Sequence, residues 1–155
     1  MLPPIRDVDI RIDSQGRWFH EGGEIRRQAL VRLFASVLQC DDEGVFWLVT
    51  PAERCMIRVD DAPFIVTSLE VVGSGKTRQL CFTTSLGERV VAGPAHPLRI
   101  QHDGKNDEPR PYLMIRDRLE GLVSRPVFYE LAALAEPGPE ARQGVWSDGV
   151  FYALD

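Results

Sequence analysis

The sequence predicts an α+β protein of two related halves, rich in antiparallel strands and with one main helix per half. Three observations carry this. Val8, Ile10 and Ile12 alternate with Asp7, Asp9, Arg11 and Asp13, the period of a half-buried strand. From Ile25 the apolar residues step instead by three and four, the period of a helix face. A phrase is also written twice: Glu43-Gly44-Val45-Phe46-Trp47 returns as Asp148-Gly149-Val150-Phe151-Tyr152.

The elements follow in order. Ser14-Gln15-Gly16 turns the first strand back into Arg17-Trp18-Phe19-His20 as a hairpin, and Gly22-Gly23 ends that run. Ile25, Ala29, Leu30, Leu33, Phe34, Val37 and Leu38 form one stripe of a helix, with Arg26, Arg27 and Arg32 away from it. Asp41 to Gly44 is turn chemistry, and Val45 to Thr50 is a short apolar run ending at Pro51, as a buried strand does. Cys55–Val59, Phe64–Val72, Thr77–Thr84 and Glu88–Gly93, with turns between them, predict an antiparallel meander. Residues 94–111 are polar and bounded by prolines, so they read as a loop. Tyr112–Ile115 is a strand, with a second strand or turn at Leu119–Val123. Pro126 suits the first turn of a helix capped by Ser124 or Arg125. Glu136-Pro137-Gly138-Pro139 stops that helix, and the chain closes on a hairpin around Asp148-Gly149. The boundaries read from this are an N-terminal repeat unit over 1–60 and a C-terminal unit over 61–155, which holds the meander and the 94–111 loop.

Composition narrows the function. The chain has 155 residues and a net charge of -5, so no overall positive field draws a nucleic-acid polymer. The first residues carry charges and prolines where a signal peptide needs an apolar core, and Arg32 interrupts the longest apolar stretch. A cytoplasmic protein without a membrane partner is expected. Cys40, Cys55 and Cys81 are odd in number and widely spaced, which favours buried free thiols over disulfides or a metal. Cys40 is the most exposed by expectation, and the acids beside it disfavour its thiolate.

The repeat extends beyond five letters. Ile25 and Arg27 lead into a helix and then the Glu43-Gly44 turn, while Val123 and Arg125 lead into a helix and then the Asp148-Gly149 turn. Strand, arginine, helix and turn agree in order, which favours internal duplication. One short helix on a few strands cannot cover its own apolar face, whereas two such units together can.

The chain also resembles an uncharacterised bacterial family catalogued only as a domain of unknown function. The residues that carry the resemblance are Gly16 to His20, Ile25-Arg26-Arg27, Leu48 to Glu53, Tyr112 to Arg118, Ser124 to Leu131 and Ser147 to Phe151. The resemblance implies a duplicated α+β core whose C-terminal half is loosely similar to pleckstrin-homology-like folds. It further implies a site between the halves for a nucleotide-like ligand and a role in signalling, and it brings no enzymatic activity.

Several residues invite chemistry. Gly73-Ser74-Gly75-Lys76-Thr77 is close to a phosphate-binding loop, but Glu70 stands where the pattern needs its first glycine, and a strand follows in place of a helix. It is a hairpin turn. His20, His96 and His102 show no metal-ligand spacing, and no Ser or Cys has a base at a recognised spacing. Neither a catalytic residue, a metal nor a cofactor is expected. Trp18 and His20 share one strand face, where a hydrogen-bonded core histidine is the plainer reading of His20. Arg27 and Arg125 stand at the starts of the two helices, where the dipole and free N–H groups already favour an anion. Each serves either a structural ion pair, with Glu130, Asp117 or a turn acid as partner for the second, or an anionic ligand. Arg116 joins them from the preceding strand, and Trp18 and Tyr112 offer faces for stacking a base, although most such aromatics are core.

The expected function is therefore non-enzymatic binding of a small anionic, nucleotide-like ligand between the halves, in bacterial signal transduction, through Trp18, His20, Arg27, Tyr112, Arg116 and Arg125. The alternative is a protein-interaction module that uses edge strands. A hydrolase using His20 with Glu21 or Glu53 ranks last.

Overall fold

The computed structural model describes residues 2–102 and 108–155. They divide into two compact units, Met1–Pro63 with Asp117–Leu119, and Phe64–Arg116 with Glu120–Asp155. The division thus falls at Pro63, three residues beyond the 60/61 boundary read from the sequence. The chain is α+β, and among the described residues each unit has one α-helix and sheets that are largely antiparallel.

The first unit contains β1 (Ile10–Ile12), β2 (Trp18–His20), β3 (Gly23–Glu24), α1 (Gln28–Ser36), β4 (Leu38–Cys40), β5 (Phe46–Val49) and β6 (Arg54–Val59). They form one sheet in the order β3-β2-β1-β6-β5-β4. Alternation places Ile10 and Ile12 in the core while Arg11 turns out to meet Asp60 at 2.8 Å. The β1–β2 turn is organised by Asp13, whose carboxylate accepts from the backbone N–H groups of Gln15 (3.0 Å) and Arg17 (2.8 Å) and from Arg17 Nε (2.8 Å).

The helix is shorter than the apolar stripe. Ile25 lies before the helix, its N–H donating to the Trp18 carbonyl at 2.8 Å, and Arg27 is the N-cap. Val31 and Ala35 form the buried face, and Leu33, read from the sequence as part of it, is 60% exposed. At the other end the Val37 carbonyl accepts from the Val49 N–H at 2.9 Å, and Leu38 pairs with Leu48. Val37 and Leu38 therefore belong to a hairpin with β5 that periodicity alone did not reveal. The Asp41–Gly44 turn closes it. The Asp41 carboxylate accepts from the N–H groups of Glu43 and Val45, each at 2.9 Å, and from Trp47 Nε1 at 3.0 Å.

The second unit contains β7 (Phe64–Val72), β8 (Gln79–Thr84), β9 (Arg89–Val91), β10 (Leu98–His102), β11 (Pro109–Arg116), β12 (Leu119–Val123), α2 (Arg125–Ala132), β13 (Glu136–Pro137), β14 (Gln143–Ser147) and β15 (Val150–Ala153). Its main sheet runs β10-β11-β12-β7-β8-β9, and β13-β14-β15 form a smaller one. The two six-stranded sheets are laid down alike. Each starts at a central strand, moves outward by two strands, restarts at the opposite edge and returns to close on a parallel pair, β1 with β6 and β12 with β7. The helix position differs: α1 joins the two halves of its sheet, whereas α2 follows the last strand of its own.

Two expectations are corrected here. Cys55–Val59 lies in β6 and belongs to the first sheet, so the meander of the second unit is β7-β8-β9. The stretch 94–111 is not one loop. Leu98–His102 and Pro109–Arg116 pair as antiparallel strands from Leu98↔Leu113 to His102↔Pro109, and residues 103–107 lie outside those described. The prolines misled the reading. Asp117-Arg118 joins β11 to β12 as a two-residue hairpin, so the start of the eight-residue β11 runs past the end of five-residue β12. There a missing N–H breaks no ladder bond on that side.

The turn at Gly73–Lys76 connects β7 to β8 through a single 3-10 turn, Gly75–Thr77. Lys76 lies over the Trp146 ring at 5.1 Å, so its position is explained by packing rather than by a phosphate. The second copy of the repeated phrase serves the same local end as the first. Asp148 and Gly149 both take positive φ (50° and 82°), and the β14–β15 hairpin follows a helix as β4–β5 does. No helix among the described residues is long and apolar enough to cross a membrane.

Candidate functional site

The start of α2 builds the site. Ser124 leaves β12 in an extended conformation (φ -62°, ψ 156°) and becomes the N-cap, Arg125 is the first helical residue and Pro126 follows it. Proline is accepted there because first-turn N–H groups have no helical partner. Ser124 makes no side-chain cap bond, so the helix end keeps donors unsatisfied by its own cap. Beside it a cleft of about 270 Å3 is lined by Glu108, Arg110, Leu122, Arg125, Phe128 and Tyr129, among others. Apolar walls and two guanidinium groups fit a small ligand with a planar body and a negative head.

Arg125 is held across this cleft by Glu108, with Nη1 to Oε1 at 3.2 Å and Nη2 to Oε2 at 2.9 Å. The hydrogen bond with Glu108, and then that with Tyr129, raises the guanidinium above its ordinary pKa. The same bond from Arg125 holds the Glu108 carboxyl below the usual carboxylate range. Both side chains are more than half exposed. The partner differs from the acids considered from sequence, because Glu108 reaches Arg125 only through the pairing of β11. Arg110, the second cation of the cleft, donates from Nε to the Tyr112 hydroxyl at 3.2 Å.

The other expected residues fall elsewhere. Tyr112 is 5% exposed, with the Arg99 guanidinium 4.4 Å over its ring, and Arg116 lies 5.5 Å from the Phe64 ring. They share β11 with Arg110 but do not line the cleft. Trp18 is 2% exposed and stacks on Phe34 with ring centroids 6.0 Å apart. Arg27 is exposed at the start of α1, and no side-chain hydrogen bond or ion pair holds it among the described residues. His20 is half exposed, 3.9 Å from Glu21, and it lines an apolar cavity of the first unit together with Glu53. The two helix-start arginines are thus not equivalent in detail. Arg27 is a cap and Arg125 a first-turn residue, and of the two it is Arg125 that faces a cleft.

Sequence reading missed Glu108, Arg110 and Tyr129. The available signal was Arg110 between two prolines, which fixes its direction, and Tyr129 one turn after Arg125. His96, placed in a polar loop from the sequence, instead has Nδ1 2.9 Å from the Met114 carbonyl.

The chain matches two family models end to end: the N-terminal domain described as "Domain of unknown function (DUF1285)" over residues 3–62, and the C-terminal domain described as "Protein of unknown function (DUF1285)" over residues 63–154. Among solved structures it is similar to a DUF1285 family protein from Silicibacter pomeroyi DSS-3, with 44% identity and a TM-score of 0.91 over 98% of this chain and 82% of that one. It is also similar to a DUF1285 family protein from Shewanella baltica OS155, with 25% identity and a TM-score of 0.60 over 78% of this chain and 87% of that one. Among curated proteins there is no match.

Proposed function

The chain belongs to the DUF1285 family of proteins of unknown function in both of its domains, and from that premise we propose that it is a non-enzymatic binding protein for a small anionic, nucleotide-like ligand, acting in bacterial signal transduction. The observation that carries the reading is the forked pair of Arg125 with Glu108 at the mouth of a cleft that also holds Arg110. A carboxylate already occupies the geometry that a phosphate oxygen pair would take. Exposed ion pairs add little to stability, so exchanging Glu108 for a ligand phosphate costs little. The free N–H groups at the start of α2 add to the attraction, and Tyr129 and Phe128 give the ligand body an aromatic surface. The main sheet of the C-terminal unit, with α2 packed on β7, also supports the looser pleckstrin-homology-like reading of this half.

Titration with nucleoside mono-, di- and triphosphates, followed by calorimetry and thermal shift, tests this. Binding that is lost in Arg125→Ala and in Arg110→Ala is the expected result, and no binding at millimolar ligand removes the reading.

A second reading, a protein-interaction module, is favoured by one observation. β12 pairs with β7 only over Phe64–Val66, and the far end of β7 carries exposed Val71 and Val72. Partner capture that is abolished by Val71→Lys and indifferent to nucleotides distinguishes it.

A further inference from the structure

The sheet of the N-terminal unit has a gap beside its central strand. Ile5 bridges Arg54 in parallel, and Arg11 pairs with Arg58 in the same sense. The chain takes six steps from Ile5 to Arg11 where β6 takes four from Arg54 to Arg58, so two extra residues bow the Asp7–Asp9 stretch away from β6. The consequence falls on Met56. Arg54 donates to the Pro4 carbonyl and accepts from the Arg6 N–H, each at 2.9 Å, so the main chain of Arg54 faces this side. Strand alternation aims the N–H and C=O of Met56 the same way. Among the described residues neither group has a backbone partner there.

Two cavities meet at this gap. The inner one, about 280 Å3, is walled mainly by Ile25, Leu30, Phe34, Val37, Leu48 and Cys55. The outer one, about 640 Å3, contains Met56 and a ring of charges. Arg6, Val8, Ile10 and His20 line both. The charges at the mouth are unbalanced. Arg6 is taken by Glu53 at 3.2 Å and Arg58 by Asp9 at 2.8 Å. What remains is Asp7, with no ion pair among the described residues, and Glu21, whose carboxylate lies 3.9 Å from His20 Nε2. An apolar chamber opens onto a strand edge with a bare carbonyl and surplus carboxylates.

We propose that this gap in the sheet is a second ligand site, which takes a small amphipathic cation, an ammonium group carried on a short alkyl or aryl body. The body enters the chamber under α1 and leaves water. The ammonium group donates to the Met56 carbonyl and lies beside the Asp7 carboxylate, where a carboxylate head would meet net repulsion. The site is distinct from the cleft at α2, in residues and in the sign of its ligand.

The test uses the full chain and three probes of one shape: hexylamine, hexanol and hexanoate. Binding is followed through the Met56 amide and the methyl resonances of Leu30 and Leu48. Hexylamine is expected to shift both sets and to bind about tenfold more tightly than hexanol, with hexanoate weakest. Asp7 is exposed, so Asp7→Asn keeps the fold and is expected to remove most of the amine's advantage over hexanol. Equal affinity for the three probes, preference for hexanoate, an unchanged ratio in Asp7→Asn, or no shift at Met56 under saturating amine each overturns the proposal.

Discussion

The hydroxyl of Ser147 donates to the carbonyl of Ala92 at 2.7 Å, and it does so from the middle of a ladder rung. The Ala92 N–H donates to the Leu80 carbonyl at 3.0 Å, but the return bond is not direct: the Leu80 N–H donates to Ser147 Oγ at 2.9 Å, which passes the bond on. Ser147 is fully buried. Its neighbours fix the same hairpin, since the N–H groups of Asp148 and Gly149 donate to the carbonyls of Arg78 and Lys76.

Ser147→Ala is therefore expected to cost about 1–3 kcal/mol, the range for stranding a buried donor and acceptor. Urea denaturation measures it as a lower midpoint at an unchanged slope.

Gly144 is needed for space. A Cβ there would overlap the Tyr152 carbonyl and stand 2.8 Å from the Ala153 Cα, both on the paired backbone of β15. Backbone in a ladder cannot step aside, so Gly144→Ala should destabilise by about 3 kcal/mol or more, or prevent the hairpin from forming. Gly75→Ala is an instructive comparison, since its Cβ would meet nothing and only its positive φ of 67° opposes it. Thermal denaturation of the two variants should rank Gly144→Ala as clearly the worse.

Asp13 gives a pH dependence with a definite sign. Burial pushes its carboxyl up, but the hydrogen bonds from the Arg17 backbone, the Arg17 side chain and the Gln15 backbone together outweigh this and hold it below the ordinary value. A depressed folded pKa means that the contribution is complete above the unfolded value, near 4, and is lost as pH falls through the lower folded one. Asp13→Ala should lower stability at pH 7 by about 1–3 kcal/mol. The difference from the parent chain should shrink towards pH 3, which denaturant titrations at several pH values would follow.

These elements differ in how plainly they were written in the sequence. Ile10 and Ile12 announced β1 because strand burial has period two, and Pro126 announced α2 because only a first turn accepts it. The Asp41 and Asp148 turns were legible for the same reason: the chemistry is local. Leu33 was misread because a stripe of apolar residues does not say which part of it meets a neighbour. The Arg125–Glu108 pair and the gap at Met56 were invisible, since each depends on strand pairing between residues far apart in the chain. No periodicity records that two residues too many lie between Ile5 and Arg11.

The exposed Arg125–Glu108 pair predicts a separation of stability from binding. Glu108→Gln removes the internal competitor and leaves Arg125 to the ligand, so anion affinity should rise a few-fold while the melting temperature moves by no more than roughly 2 °C. Arg125→Ala should leave the melting temperature equally unmoved and abolish binding. Calorimetry with a nucleotide at two salt concentrations measures both, and affinity for the anion should fall with salt.

Cys40 is the reactive cysteine by exposure and the reluctant one by charge. It is half-buried, whereas Cys55 and Cys81 are buried, and its sulfur lies 3.7 Å from the Asp41 carbonyl oxygen. Burial raises its thiol pKa first and the Asp41 carboxylate raises it further, against a smaller lowering by Arg118. Arg118 is itself fixed by Asp42 at 2.6 Å. Alkylation proceeds through the thiolate, so iodoacetamide should modify Cys40 ahead of the other two, slowly at pH 7 and faster as pH rises past the ordinary thiol range. Removing the one favourable charge, in Arg118→Ala, should slow the reaction further at pH 7, because the thiolate is the reacting form. Peptide mapping by mass spectrometry reads the order of labelling. Equal labelling of Cys81, or a faster reaction in Arg118→Ala, would contradict this account of the Cys40 surroundings.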